Sequence, residues 1–437
     1  MKFTNSIFIT AIVLFICCIV DAKYDFNLIQ QSSGYVEVRT GAKMFWLLMN
    51  AEAKNYREKP LIVYLQGGPG TSATGYENFV EIGPLDENLE RRNNSWVKDH
   101  NLLFIDSPVG TGFSYVEKIE DLATNNAQIV KDLMKLISTF YADHSEFSNV
   151  PTYIFSESYG GKVAVELALQ WYKDQESKTI KSDLRGVGLG NPWIAPIDII
   201  QTWPSYLLQM GFIDTQGAVK IENAVNFTKQ AIKEGRWSDA TDRFIRVAKI
   251  ARAESKGINL YNILTQVSTE RMNDSINSLK FMDEPVLSEG ESDTIGSPAL
   301  HALMNGEVKK IVHGAVEWVA FNKTIFDTLK SDFMRPVTGI VEQLLNETKL
   351  KISVYTGQLD FIVDTPGTLH WSEKLNWRDS DGWRAAKREV MISNGIIEGF
   401  YKTYNRFSFY WVNRAGHRVQ SENPEAMSII LKDMTMN

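Results

Sequence analysis

Ser158 lies in the run Ser156-Glu157-Ser158-Tyr159-Gly160-Gly161-Lys162, between an apolar stretch and one of helical composition. A serine hydroxyl becomes a useful nucleophile when a base takes its proton, and an imidazole base needs a carboxylate to fix its tautomer. The setting predicts a nucleophile elbow, a tight turn that lifts the hydroxyl above a sheet and leaves room only for small neighbours. The usual pattern is G-x-S-x-G; Ser156 replaces the first glycine and is small enough to fit. Asp360 and His417 complete the set in the order Ser, Asp, His, each a few residues beyond a strand-like run at 352–356 and 407–412. His417 is preferred to His370, which lies in a helix-like stretch, to His100 and His144, which precede the serine, and to His301 and His313. An acyl-transfer site also needs donors for the developing oxyanion. The turn Gln66-Gly67-Gly68-Pro69-Gly70 can aim backbone N–H groups without side-chain obstruction, so Gly68 and Tyr159 are the expected donors. A phosphate loop is excluded: there is no G-x-x-x-x-G-K-[S/T] run, and Pro69 has no N–H to offer a nest.

Positioning such residues requires strands alternating with helices. Short apolar runs at 61–65, 102–105, 153–155 and 184–189 alternate with helical stretches at 122–141 and 160–171, which implies a mostly parallel sheet flanked by helices, an α/β fold. The rhythm breaks after Asn191-Pro192 and returns at 352–356, 388–393 and 407–412. The expected organisation is a core of 23–196 and 348–437, interrupted by a mainly helical insertion, or cap domain, at 197–347. The 437 residues carry 46 Lys plus Arg against 53 Asp plus Glu, a net charge of −7, which argues against nucleic acid as a partner. No metal or other cofactor is expected.

The first residues read as a leader. Lys2 is followed by an uncharged stretch at 7–20 and by Val20-Asp21-Ala22, so residues 1–22 are expected to be a signal peptide cleaved near Ala22. The uncharged stretch is shorter than the roughly 20 residues that span a bilayer, and the mature chain is expected to have no membrane segment. The two cysteines, Cys17 and Cys18, fall inside this leader, which leaves the mature chain without a thiol or disulfide. Sequons at Asn93, Asn226, Asn273, Asn322 and Asn346 predict a glycoprotein that is secreted or lysosomal.

Several longer motifs carry a specific resemblance. Tyr64-Leu65-Gln66-Gly67-Gly68-Pro69-Gly70, Asp106-Ser107-Pro108-Val109-Gly110-Thr111-Gly112-Phe113-Ser114-Tyr115, Glu157-Ser158-Tyr159-Gly160-Gly161-Lys162, Gly190-Asn191-Pro192, Tyr355-Thr356-Gly357 through Asp360, and Gly416-His417 follow one another in a family's order. The chain resembles the serine carboxypeptidases of the α/β-hydrolase fold, and Gln66 and Ser156 bring it nearest to their retinoid-inducible branch. The resemblance implies a catalytic triad of Ser158, Asp360 and His417 acting on peptide or protein C-termini, in a monomer or homodimer. It also implies that Gln66, Gly67, Glu157 and Glu81 receive the substrate's C-terminal carboxylate, with Glu81 and Glu157 as a carboxyl pair. Two close carboxylates ionise reluctantly, and a protonated one can donate to a substrate carboxylate, so binding is expected to favour acidic pH. The chain departs from the family with Tyr64 for tryptophan, Gln66 for asparagine and Thr71 for cysteine. An acyltransferase or esterase on this scaffold, and an inactive secreted binding protein, are the alternative readings.

Overall fold

The runs Leu61–Leu65 (β3) and Asn101–Ile105 (β4) are buried at every position, as strands covered on both faces must be. In the computed structural model, which describes residues 26, 29–265 and 296–436, both lie inside an eleven-stranded sheet. The leader and the Asn273 sequon fall outside the described residues. The other strands are β1 (Gln31–Arg39), β2 (Ala42–Met49), β5 (Tyr115–Val116), β6 (Pro151–Glu157), β7 (Asp183–Gly190), β8 (Lys351–Gly357), β9 (Glu389–Ser393), β10 (Ile396–Tyr404) and β11 (Phe407–Val412). The order is β1-β2-β4-β3-β6-β7-β8-β11-β10-β9, with β5 paired to β2. From β4 through β11 the pairing is parallel, and the strands outside this block pair antiparallel.

Side chains alternate across the sheet with the strand period of two. On β2, Met44, Trp46 and Leu48 enter one apolar core while Phe45, Leu47 and Met49 enter the other. The first core is closed by helices α1 (Asn126–Asp143) and α2 (Gly160–Glu176). The expected start of α1 at Leu122 moves to Asn126, because the Asn125 side chain accepts from the Gln128 N–H at 2.9 Å and caps the helix there. The second core is closed by the π-helix Ala73–Ile82 and, near the C-terminus, by a helix at Pro424–Thr435.

The described part of 197–347 is mainly helical. It includes α3 (Thr215–Lys233) and α4 (Trp237–Glu254), which pack on each other. This segment shares its core with the sheet domain. Phe244 of α4 lies 5.2 Å from Trp193 and 5.3 Å from Phe333, ring centre to ring centre.

Strand β10 is an addition to the sequence reading. Asn394 and Gly395, both with positive φ, turn β9 into β10. An Asn-Gly pair between strands is the usual signal of such a hairpin.

Candidate active site

The sheet's order reverses at β3. The chain leaves β3 toward β4 on one side and returns to β6 on the other, so a crevice opens at the carboxyl ends of β3 and β6. Leu65 and Ser156 are paired across this point. The glycine turn and the serine elbow therefore meet for topological reasons.

Ser158 adopts φ 57°, a left-handed conformation that costs a residue with a Cβ on the order of 1–3 kcal/mol. Its surroundings hold it there. The Ser158 N–H donates to the Gly190 carbonyl at 3.0 Å, and its own carbonyl accepts from Gly161 at 3.0 Å and Trp193 at 2.9 Å. A Cβ on Gly67 would stand 2.7 Å from the Ser158 Cβ, and one on Gly160 would stand 2.5 Å from the Leu65 carbonyl oxygen. Ser156, fully buried between β3 and β7, fits without a glycine. The N–H groups of Gly68 and Tyr159 have no protein acceptor among the described residues.

Strands β8 and β11 are parallel neighbours, so the loops that follow them lie side by side. Asp360 Oδ2 is 2.6 Å from His417 Nδ1, and Asp360 Oδ1 accepts from the Val363 N–H at 3.1 Å. Both side chains are buried. Burial pushes the Asp360 carboxyl above its ordinary range, while His417 and the backbone donors oppose that push. The His417 N–H donates to the Tyr261 carbonyl at 2.7 Å. Asn191, noted in the sequence only as part of a motif, ties the two loops together: its Nδ2 donates to the His417 carbonyl at 2.6 Å and its Oδ1 accepts from the Gly357 N–H at 3.0 Å. Ser158 and His417 line one cavity with Gln66, Gly68, Glu157 and Arg418.

Behind that cavity lies a cluster larger than the expected pair. Glu77, Glu81 and Glu157 are all buried. Gln420 Nε2 donates to Glu157 at 2.8 Å, to the Tyr64 hydroxyl at 2.8 Å and to Glu77 at 3.4 Å. Both Glu81 oxygens are buried without a hydrogen-bond partner among the described residues, and Glu157 carries a bond from Gln420 besides its charge interaction with Glu81. Burial, then the charges of Glu81 and Glu157, holds Glu77 well above the usual carboxylate range; burial and the Glu157 charge do the same to Glu81. Burial also raises Glu157, against the opposing charge of His417. Gln66 is engaged at both ends: Nε2 donates to Glu77 at 2.8 Å, and Oε1 accepts from Gly67 N at 2.5 Å. Glu77 and Gln420 escaped the sequence reading because they lie 343 residues apart and meet only in the folded chain. The spacing of Glu77 and Glu81, four residues within one apolar helical run, was the available signal.

The sequons differ in setting. Asn93, Asn226 and Asn346 are exposed. Asn322 is half-buried, and its Nδ2 donates to the Gly110 carbonyl at 2.9 Å, so a glycan on that nitrogen would leave it a single N–H for this bond.

This strand order, with a serine elbow at the switch point, defines an α/β-hydrolase. Residues 23–437 match the serine carboxypeptidase family model, and the chain belongs to that family of hydrolases. It is 39% identical to the mouse (Mus musculus) retinoid-inducible serine carboxypeptidase over 92% of this chain and 90% of that one. It is 34% identical to the Arabidopsis thaliana serine carboxypeptidase-like 51 over 90% and 89% of the two chains. The solved structure of Kex1(delta)p, a prohormone-processing carboxypeptidase from Saccharomyces cerevisiae, shares the fold with a TM-score of 0.75, at 19% identity and with 94% and 92% of the two chains covered. The sequence resemblance to the retinoid-inducible branch agrees with these relatives. No helix among the described residues is long and apolar enough to cross a membrane.

Proposed function

We propose that the chain removes C-terminal residues from peptides through Ser158, His417 and Asp360, and that it works best at acidic pH within the secretory pathway. His417 takes the Ser158 proton as the hydroxyl attacks the last peptide carbonyl, and passes it to the departing amine as the C–N bond breaks. Water then enters; His417 takes its proton, the acyl–oxygen bond to Ser158 is cleaved, and Ser158 is reprotonated. Asp360 keeps the imidazole in the required tautomer. The N–H groups of Gly68 and Tyr159 receive the developing negative charge.

The observation that carries this reading is the 2.6 Å contact between buried Asp360 and His417, on the wall of the cavity that also holds the strained Ser158. The acid preference rests on the Glu77, Glu81 and Glu157 cluster. Around it face Arg92, Arg418 and Glu422, near Glu81, and His417, Asp360, Tyr64 and Tyr355 on its other sides. Two of its carboxyls are held well above the usual range, so the cluster keeps protons at acidic pH and gains repulsive charge as pH rises.

An active-site serine phosphonate should label the protein, and Ser158→Ala should abolish the label. Turnover of a blocked peptide acid, its C-terminal amide and the matching ester across pH 4–8 tests the rest. The expected result is cleavage of the acid over the amide, falling toward neutral pH. Use of the ester and the amide as readily as the free acid would point to an esterase or acyltransferase instead, and absence of labelling to an inactive binding protein.

A further inference from the structure

Residues 258–265 follow α4 without forming a helix or strand, so their backbone polar groups need partners elsewhere. They find them on the two loops that carry Asp360 and His417. On the Asp360 side, the Leu260 carbonyl accepts from the Phe361 N–H at 3.1 Å and the Ile362 N–H at 2.9 Å, and the Ile263 N–H donates to the Leu359 carbonyl at 3.0 Å. On the His417 side, the Tyr261 carbonyl takes the His417 N–H, and the Tyr261 ring meets the imidazole edge-on with centres 5.0 Å apart. The stretch is a strap laid across both loops. Buried Ile258, Leu260 and Ile263 anchor it, and Asn259 Oδ1 holds its bend by accepting from the Tyr261 and Asn262 N–H groups at 2.8 and 3.0 Å.

One side chain of the strap reaches the chain just before His417. Asn262 Nδ2 donates to Glu422 Oε2 at 2.7 Å, and the same oxygen accepts from the Gly416 N–H at 2.5 Å. Asn262 and Gly416 are thus tied through a single carboxylate oxygen. The approach is close: a Cβ on Gly416 would stand 2.2 Å from the Tyr261 carbonyl oxygen and 2.8 Å from the Asn262 Cβ. Asn191 joins the same two loops from the end of β7, so strap and Asn191 hold them from separate elements.

We infer that the strap sets the place of His417 relative to Asp360 and Ser158, with Asn262 as its positioning residue, acting through Glu422 and Gly416. The helical insertion then helps to assemble the triad as well as enclosing the cavity. This rests on the triad reading above.

The test is a donor–acceptor exchange. Asn262→Leu removes the donor at similar size. Asn262→Asp removes it and sets a carboxylate against Glu422. Glu422→Gln keeps an oxygen for both bonds. The double variant Asn262→Asp, Glu422→Gln restores the contact with donor and acceptor reversed. The rate of serine phosphonate labelling, and kcat and KM for a peptide acid and its matching ester, are measured well below each variant's melting temperature. A displaced imidazole should lower labelling and kcat about 10- to 100-fold in Asn262→Leu and Asn262→Asp, equally for acid and ester, with KM unchanged. Glu422→Gln should stay near native, and the double variant should recover most of the loss. A lower melting temperature with native kcat and labelling overturns the inference, since the strap would then be structural only. A loss confined to the peptide acid with a raised KM also overturns it, because Asn262 lines the cavity and would then be a substrate contact. Loss in Asn262→Asp without recovery in the double variant overturns the route through Glu422. Native protein that takes no phosphonate sinks the triad reading and this one with it; labelled native protein with Asn262 variants unchanged sinks this one alone.

Discussion

In the proposed triad, the Asp360–His417 contact is where a single atom would decide the chemistry. With Asp360→Asn, the side-chain amide would offer an N–H to His417 Nδ1 and favour the wrong tautomer, at a cost of roughly 10⁴ in kcat. The variant should still fold, which circular dichroism checks alongside single-turnover kinetics. Gln66 shows a different dependence. Its amide donates to Glu77 and accepts from the Gly67 N–H, so Gln66→Ala would remove one of Glu77's donors and strand the Gly67 N–H, the latter at about 1–3 kcal/mol. Urea unfolding should therefore show a lower midpoint for Gln66→Ala, and Gln66→Glu should lose the donor to Glu77 as well.

At the level of the element, the site depends on two turns too crowded for a side chain. Gly67→Ala would drive a methyl carbon to 2.7 Å from the Ser158 Cβ and 2.9 Å from the Glu157 carbonyl oxygen. The expected result is loss of phosphonate labelling together with a lower melting temperature, whereas Gly339→Ala, where a Cβ meets nothing within 4 Å and φ is not positive, should lower neither. These turns were legible in the sequence because the chemistry proposed for them fixes each residue type: a small neighbour beside Ser158, glycines where an oxyanion would form, a carboxylate and an imidazole after later strands. The alternation of strand and helix was legible for the same reason, since burial on both faces requires unbroken apolar runs. The carboxyl cluster and the two-loop tie through Asn191 were not. Their members are joined by long-range packing, and nothing local to Glu77, Gln420 or Asn191 distinguishes a partnered side chain from a solvated one. The β9–β10 hairpin was missed although Asn394-Gly395 announced it, because Arg388 to Ser393 was read without its return strand.

Across the whole molecule, the buried carboxyls tie stability to pH. Glu77 and Glu81 hold their protons more tightly folded than unfolded, where the ordinary value is 4.5. Their favourable contribution is complete below that value and is lost as pH rises through the folded values. Melting temperature should thus decline from mildly acid toward neutral and alkaline pH. Glu81→Gln, which keeps the shape and removes the titration, should flatten the slope; an identical slope in both proteins would exclude Glu81 as its source. A second whole-molecule dependence runs through Lys162. Its buried Nζ donates to the Asp332 carbonyl at 2.6 Å and to Asp332 Oδ2 at 3.1 Å, joining α2 to the helical segment. Lys162→Met should cost about 3–5 kcal/mol, measured by denaturant unfolding, because it leaves Asp332 without its buried cation.

That bond also limits how the enzyme can be rebuilt. Phe333 stacks on the Tyr159 ring with an interplanar angle of 1°, and its carbonyl accepts from the Trp193 indole at 3.1 Å. The short stretch around 332–333 is therefore the bolt that joins the helical segment to the turn carrying Ser158. A chimera that imports the helical segment of a relative while keeping the native bolt, or the reverse, would misalign the two halves even if each were sound, so grafts should carry residues 332–333 and Lys162 together.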